Sequence, residues 1–477
     1  MKDYLSTQLK ESIKRAIEKQ LLSIPSQVDQ TFFNNLAIGI EIPNNPEHGD
    51  FSSNIAMLLA KPLRKSPLFI AQQILENFED PKKYIIKKNA VAPGFINFSI
   101  DTNYFFHELI FVYHQKENFG RSQIGSNQKI LIEFVSANPT GPLHVGTARG
   151  AVVGDVMAKL LEFIGYDVSK EYYINDAGNQ VHILGESVFT RYLMRCGKNI
   201  SIKEEHYQGE YVIDLADEFF QIHQDQYAEF HFDEISSVFI SFALDHIITQ
   251  IKNTLQSFDI IFDRFQSEKE IIQAGIIQQK LDIIKRHEFL YEQDGKIWFK
   301  STAFGDDKDR VVMRDTQDPT YFASDIAYHA QKLDRGFDKL VNVWGADHAG
   351  YEKRLQSALS ALGYPTDVLH IIFVQMVHLL REGKPVKLGK RSGNLILIED
   401  LLKEIGKDAA RFFFIMRKTD AQLEFDLDLA KAETMDNPVF YVQYGHARMA
   451  SILRKAKEQG YNEILPFEGF QNFLTLP

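Results

Sequence analysis

Three groups of residues in this 477-residue chain have the types and spacing to do chemistry. The first is Ser136-Ala-Asn-Pro-Thr-Gly-Pro-Leu-His-Val-Gly146, a Gly/Pro-rich run between an apolar stretch and a helical pattern. A strand that ends in such a loop and opens a helix is a general phosphate site, because the helix N-terminus offers N–H groups and partial positive charge. Gly141 and Gly146 would let a nucleotide approach the backbone, and the His144 imidazole could donate to a phosphate as charge builds on it. The second is Lys387-Leu-Gly-Lys-Arg-Ser-Gly-Asn394. Lysines on a flexible glycine loop can fold over a triphosphate and neutralise charge as pyrophosphate leaves. The third is a set of carboxylates. Glu133 lies in an apolar strand, where a charge is costly without a partner. Tyr321 and Asp325 are spaced i, i+4 and so share one helical face.

These groups need elements to hold them. Residues 129–135 form an almost continuous apolar run of the kind buried in a parallel sheet. A helix is expected from about 145 to 165 and a strand at 168–174, which makes a β-α-β unit and the start of a doubly wound sheet. Residues 180–290 are largely helical and charged, and read as an insertion between the two halves of that sheet. Strands resume at 297–300, 310–314, 340–344 and 371–378, and from about 401 the pattern is helical. Residues 1 to about 115 read as a mixed α/β unit. It has helical periodicity over 2–24, a helix over 66–78 with Ser66 as N-cap and Pro67 at its first position, and a turn at Pro93-Gly94 into a short strand. Lys82, Lys83, Lys87 and Lys88 form a basic strip, either a lysine-protected strand edge or an RNA contact. The polar stretch 123–128 reads as a linker.

Hydrophobic content is 44% and charged content 25%, enough to build real cores. No stretch reaches the length of a transmembrane helix, the first residues lack an apolar signal core, and Cys196 is the single cysteine. That excludes an internal disulfide and a multi-cysteine zinc site, and fits a reducing cytoplasm. The net charge of −11 argues against a nucleic-acid partner when taken alone, but a large acidic protein can carry a basic face.

The run Ser136–Gly146 resembles the signature loop of class I aminoacyl-tRNA synthetases in its arginyl form. Tyr173-Ile-Asn-Asp-Ala-Gly-Asn-Gln180, Trp344-Gly-Ala-Asp-His348, Asp436-Asn-Pro-Val-Phe-Tyr-Val-Gln-Tyr444 and Pro46-Glu-His-Gly-Asp-Phe-Ser-Ser-Asn54 are similar to further segments of the arginyl family, so the likeness covers nearly the whole chain. It implies an α/β fold: a Rossmann-type doubly wound parallel-sheet catalytic domain (119–430), an N-terminal tRNA-contacting α+β domain (1–118) and a C-terminal all-α domain. The last, at 431–477, would be the start of a helical anticodon-binding domain that stops short of its relatives.

The same resemblance implies ligation of L-arginine to tRNA(Arg) through an arginyl-adenylate, with ATP as substrate and Mg²⁺ beside it, tRNA present for the first step, and a cytoplasmic monomer. ATP falls to Pro139, Gly141, His144, Gly146 and Lys390, with adenosine over the sheet's carboxyl edge near Gly345, Asp347 and His348. Asp325 and Tyr321 take the guanidinium end of arginine, and Glu133, Ser136 and Asn138 the rest. A planar, permanently charged guanidinium suits carboxylates and a flat ring. Such a site rejects uncharged analogues, so no editing domain is needed. His144, Thr147, Lys387 and Lys390 form the catalytic set, and Tyr441, Tyr444 and Arg448 the RNA-contacting groups. Two departures stand out. Thr147 occupies the place of the class's second histidine, and Leu388 and Gly389 replace Met and Ser of the Lys-Met-Ser-Lys loop. They leave two other readings open: an impaired, RNA-binding relative of the synthetases, or a nucleotidyltransferase outside translation.

Overall fold

The computed structural model describes residues 1–23, 36–386 and 396–461. It divides into two units, Met1–Phe119 with Gly460 and Tyr461, and Gly120–Gln459. In the first, helix α1 (Lys2–Glu18) is followed by β1 (Phe51–Ser53), α2 (Ile55–Leu63), α3 (Pro67–Glu76), β2 (Ile85–Val91), β3 (Phe95–Ile100) and α4 (Thr102–Gln115). Helix α1 is shorter than its periodicity suggests. Gln20 turns left-handed (φ 59°) and Leu21 N donates back to Ala16 O, closing the helix with a C-terminal cap. Ser66 caps α3 as expected, accepting from Phe69 N, with Pro67 in the first turn. The sheet order is β1-β3-β2, so β2 is an edge. Lys88 on it donates to Phe78 O and Leu75 O, and Lys82 lies over the rings of Tyr4 and Tyr84, so half of the basic strip is spent inside the unit.

The second unit is built on five parallel strands in the order β11-β10-β4-β5-β6. These are β4 (Lys129–Glu133), then after α5 (Val145–Phe163) β5 (Asp167–Ile174), and β6 (Arg264–Ser267). Between β5 and β6 come α6 (Asn179–Arg195), α7 (Glu210–His223) and α8 (Phe232–Ser257). The helical insertion therefore ends before 264. Strand β6 and the helices α9 (Glu268–Gln273) and α10 (Ile276–Arg286) belong to the scaffold. The expected strands near 297 and 310 form a separate antiparallel sheet of β7 (Leu290–Gln293), β8 (Lys296–Phe299) and β9 (Arg310–Met313).

The main sheet resumes after α11 (Tyr321–Asp334) with β10 (Lys339–Gly345), α12 (Glu352–Ala361) and β11 (Leu369–Val374). The single strand expected at 371–378 is two. Gln375 N leaves the main sheet to donate to Thr419 O, and β12 (Val377–Arg381) joins a third sheet with β13 (Lys384–Pro385) and β14 (Leu423–Asp426). Helices α13 (Ile398–Ile405), α14 (Lys407–Ile415), α15 (Leu427–Lys431) and α16 (Pro438–Glu458) complete the unit.

Alternate residues of β4 face opposite cores. Ile130 and Ile132 pack with Ala148, Ala151 and Val152 of α5, while Leu131 packs with Ala330 and Leu333 of α11 and Leu355 and Leu359 of α12. Cover on both faces explains why β4 is apolar throughout. Because β4 opens the sheet and the chain later returns on its other side with β10, the strand order reverses between them. That switch point is where open α/β sheets bind ligands, beyond the carboxyl ends of the strands.

Candidate active site

The signature turn leaves β4 abruptly. Val135 and Ser136 have φ of 68° and 39°, and Ser136 N bonds back to Phe134 O. A β-branched residue in this region is strained, and such strain persists only where surrounding contacts impose it. Those contacts are visible: Ser136 Oγ donates to Glu133 Oε1 at 2.9 Å and accepts from Tyr173 N at 3.1 Å. Asn138 is exposed and donates to Gln180 Oε1 at 2.8 Å, joining the turn to the segment after β5. Pro139 is buried beneath the turn. Gly141 earns its lack of a side chain from a neighbour: a Cβ there would meet the Tyr211 ring at 3.2 Å, and Tyr211 of α7 donates to Thr140 O at 2.6 Å.

His144 is the N-cap of α5. Its Nδ1 accepts from Gly146 N at 3.1 Å, so the ring proton lies on Nε2. A Cβ at Gly146 would come within 2.8 Å of that ring, so glycine is needed for this cap as well as for an approaching ligand. Thr147 turns its hydroxyl inward, donating to His144 O at 2.8 Å. Lys387 and Lys390 lie outside the described residues. The chain re-emerges from their loop beside the signature turn, where Val145 N donates to Ile396 O and Ile398 N to Leu143 O. Across the switch point, β10 runs parallel to β4 and delivers Gly345, Asp347 and His348, all exposed, to the same edge.

Farther along that edge lies a pocket of carboxylates. Glu268, which opens α9 directly after β6, is buried at 4% exposure. Burial first, and then Asp325, pushes its pKa up to about 7. Enclosure likewise pushes Asp325 up to about 7, opposed by a hydrogen bond from Tyr351 and reinforced by Glu133. Tyr173, on β5, hydrogen-bonds Glu268, and burial beside Glu268, Asp325 and Glu133 raises its phenol. With its amide oriented to satisfy its neighbours, Asn175 also donates to Glu268 Oε2 at 3.0 Å. Two desolvated carboxyls that each hold a proton near neutral pH form a site that a cation would relieve. Tyr321, one turn before Asp325 on α11, is 66% exposed.

Glu133 is held by partners within the protein. Its Oε2 lies 2.5 Å from Nζ of Lys332, which is completely buried, and its Oε1 takes the Ser136 hydroxyl. Its charge is balanced internally, because a carboxylate in this strand could not remain unpaired.

A family model described as tRNA synthetases class I (R), catalytic domain, matches residues 109–435, and one described as Arginyl tRNA synthetase N terminal domain matches residues 7–100. The chain is 45% identical to an arginine–tRNA ligase of Desulforamulus reducens over 95% of its own length and 81% of the relative's. The chain belongs to the arginyl-tRNA synthetases. An arginine–tRNA ligase of Bacillus velezensis is 43% identical over 95% of this chain and 80% of its own. The crystal structure of Thermus thermophilus arginyl-tRNA synthetase shares the fold at TM-score 0.70, over 95% of this chain and 82% of that one, with 21% identity.

In this synthetase the sequence-derived site residues fall into two places. His144, Gly146, Thr147, Gly345, Asp347 and His348 border the switch point, while Asp325 meets Glu268, Tyr173 and Tyr351 in the carboxylate pocket. Sequence reasoning missed Glu268. A signal existed: Ser267 caps α9 and Glu268 and Glu270 occupy its first turn, a strand–cap–helix pattern like the one after β4. Tyr441, Tyr444 and Arg448 lie exposed on α16, where Arg448 donates to Tyr444 Oη at 3.0 Å. Among the described residues no helix is long and apolar enough to cross a membrane.

Proposed function

We propose that the chain joins L-arginine to tRNA(Arg) in two steps at this edge. The arginine carboxylate attacks the α-phosphorus of ATP and pyrophosphate leaves. A ribose hydroxyl of the tRNA's terminal adenosine then attacks the arginyl carbonyl and AMP leaves. The observation that carries this reading is the pair Glu268 and Asp325, desolvated, mutually repelling and set beside the signature turn. A guanidinium would satisfy both at once. Tyr321 and Tyr351 flank it, and Asn138 holds the amino-acid backbone. Glu133 and Ser136 brace the turn from beneath.

ATP lies over the switch point, its phosphates toward the first N–H groups of α5 and His144 Nε2–H, its adenosine toward Gly345, Asp347 and His348. Lys387 and Lys390 close over the triphosphate. Mg²⁺ would be held chiefly by the phosphates of the nucleotide. Catalysis is positioning and charge stabilisation, without a covalent enzyme intermediate. The first step needs tRNA, which Tyr441, Tyr444 and Arg448 help to hold. The enzyme works as a monomer in the cytoplasm.

The test is attachment of labelled arginine to tRNA, together with ATP–pyrophosphate exchange. Exchange that requires both arginine and tRNA supports the reading; exchange with a different carboxylate sinks it.

A further inference from the structure

A pocket built for a cation has no evident need of one of its own, yet Lys332 lies completely buried on α11, two turns beyond Asp325. Its Nζ sits 2.5 Å from Glu133 Oε2 and 3.9 Å from the centroid of the Tyr328 ring. His329 Nε2 is 4.0 Å from the same oxygen but offers it no charge. Its Nδ1 donates to Asp325 O at 2.8 Å and its Nε2 accepts from Asn342 Nδ2 at 2.7 Å. Burial first, and then Lys332, holds its pKa well below the usual value, so the imidazole is neutral. Lys332 is thus the cation that answers Glu133.

The groups facing the pocket are Glu133 from β4, Tyr173 and Asp176 from β5 and the turn after it, and Glu268 from α9. From α11 come Asp325, Tyr328, His329 and Lys332, and from the start of α12 Tyr351 and Arg354.

Resting on the arginine reading above, we propose that Lys332 is a specificity-setting residue acting through Glu133: by holding that carboxylate it leaves Asp325 and Glu268 as the pair that takes a single guanidinium. Without Lys332, Glu133 becomes a third carboxylate. Its repulsion already raises Asp325, and Lys332 already lowers it. Loss of the lysine therefore shifts ionisation of the pair to higher pH and weakens arginine at neutral pH.

The experiment measures arginine binding to the full chain by calorimetry from pH 6 to 9, for wild type, K332M and E133Q/K332M. K332M is expected to lose about tenfold in arginine affinity at pH 7 and to move the pH profile up by about one unit. It should keep its ATP affinity. The double variant, which removes the stranded carboxylate, should return the profile to the wild-type position. A K332M profile that does not move, or a double variant as impaired as K332M, overturns the proposal. So does E133Q alone losing more affinity than K332M, because Glu133 would then bind arginine itself. If K332M does not fold, the charge-neutral double variant decides: a wild-type profile supports the proposal and a displaced one refutes it. Wild type that binds arginine without pH dependence, and equally well as D325N, would instead refute the arginine reading.

Discussion

The two halves of the proposed catalytic edge would recognise their ligands by opposite means. In the carboxylate pocket the groups are ionisable side chains on β5, α9 and α11, and burial is the main cause that raises the pKa values of Glu268 and Asp325. At the signature turn they are backbone N–H groups and one half-buried imidazole. The difference follows from the ligands. A guanidinium is permanently charged and planar, so enclosed opposite charge both holds it and rejects neutral analogues. A triphosphate is a large polyanion, which helix N-termini and lysine loops can grip without being buried. The pocket should therefore fail abruptly when one charge is removed, and the turn should lose rate rather than arginine affinity.

The sharpest way to break this contrast is D325N. It leaves Glu268 facing a guanidinium alone, and breaking a buried charge pairing costs about 3–5 kcal/mol, roughly a few hundred- to a few thousandfold in arginine affinity. Calorimetry should show that loss with ATP binding unchanged. On the other side, H144A removes both the proposed phosphate donor and the N-cap of α5. Loss of one transition-state donor costs about 2.7–4 kcal/mol, so kcat for adenylate formation should fall roughly a hundred- to a thousandfold. Arginine affinity should stay near wild type. Equal loss of arginine affinity in both variants would mean that the two halves act as one site.

Protons give a milder test. Asp325 and Glu268 each have a folded pKa raised to about 7 by burial, above the ordinary carboxyl value near 4. In the unliganded protein the stability they contribute is complete below about pH 4 and is lost as pH rises through about 7. Arginine requires the ionised forms, so its binding displaces protons below that point. Affinity should fall by about tenfold per unit below pH 7 for each proton displaced. Arginine should also raise the unfolding temperature more at pH 8 than at pH 6. Calorimetry in buffers of different ionisation enthalpy should detect proton release near pH 6.5. Absence of release would show that the carboxyls are already ionised and the pocket less desolvated than its geometry implies.

Much of this was legible because the signals are local. The apolar run of β4, the Gly/Pro turn and the periodicity of α5 lie next to one another and specify a phosphate site by themselves. The losses come from long-range structure. Strand β6 is only four residues long and sits after three charged helices, so it reads as part of them, and Glu268 goes with it. The run 371–378 reads as one strand because apolar character continues through the point where Gln375 turns to Thr419. Lys332 looks like any helical lysine. Only the fold reveals that it is buried 2.5 Å from a carboxylate 199 residues away. The Lys332 partner of Glu133 was illegible for the same reason, since it is remote in sequence.

The smallest expected effect concerns Thr147, which stands where the class places a second histidine. A hydroxyl aimed at the triphosphate would make Thr147 a weaker substitute for that histidine. Here the proton is committed to His144 O at 2.8 Å, within the first turn of α5, and the same carbonyl also accepts Thr147 N at 2.9 Å. T147V removes one of two hydrogen bonds to a carbonyl that keeps the other. That should cost about 1 kcal/mol of stability and less than about tenfold in kcat. T147V that lowered kcat a hundredfold while leaving the unfolding temperature unchanged would mean that the hydroxyl leaves His144 and serves the transition state. T147H adds a donor at the same position, and a rise in kcat with unchanged arginine affinity would place the contribution of this position on the phosphate side of the edge.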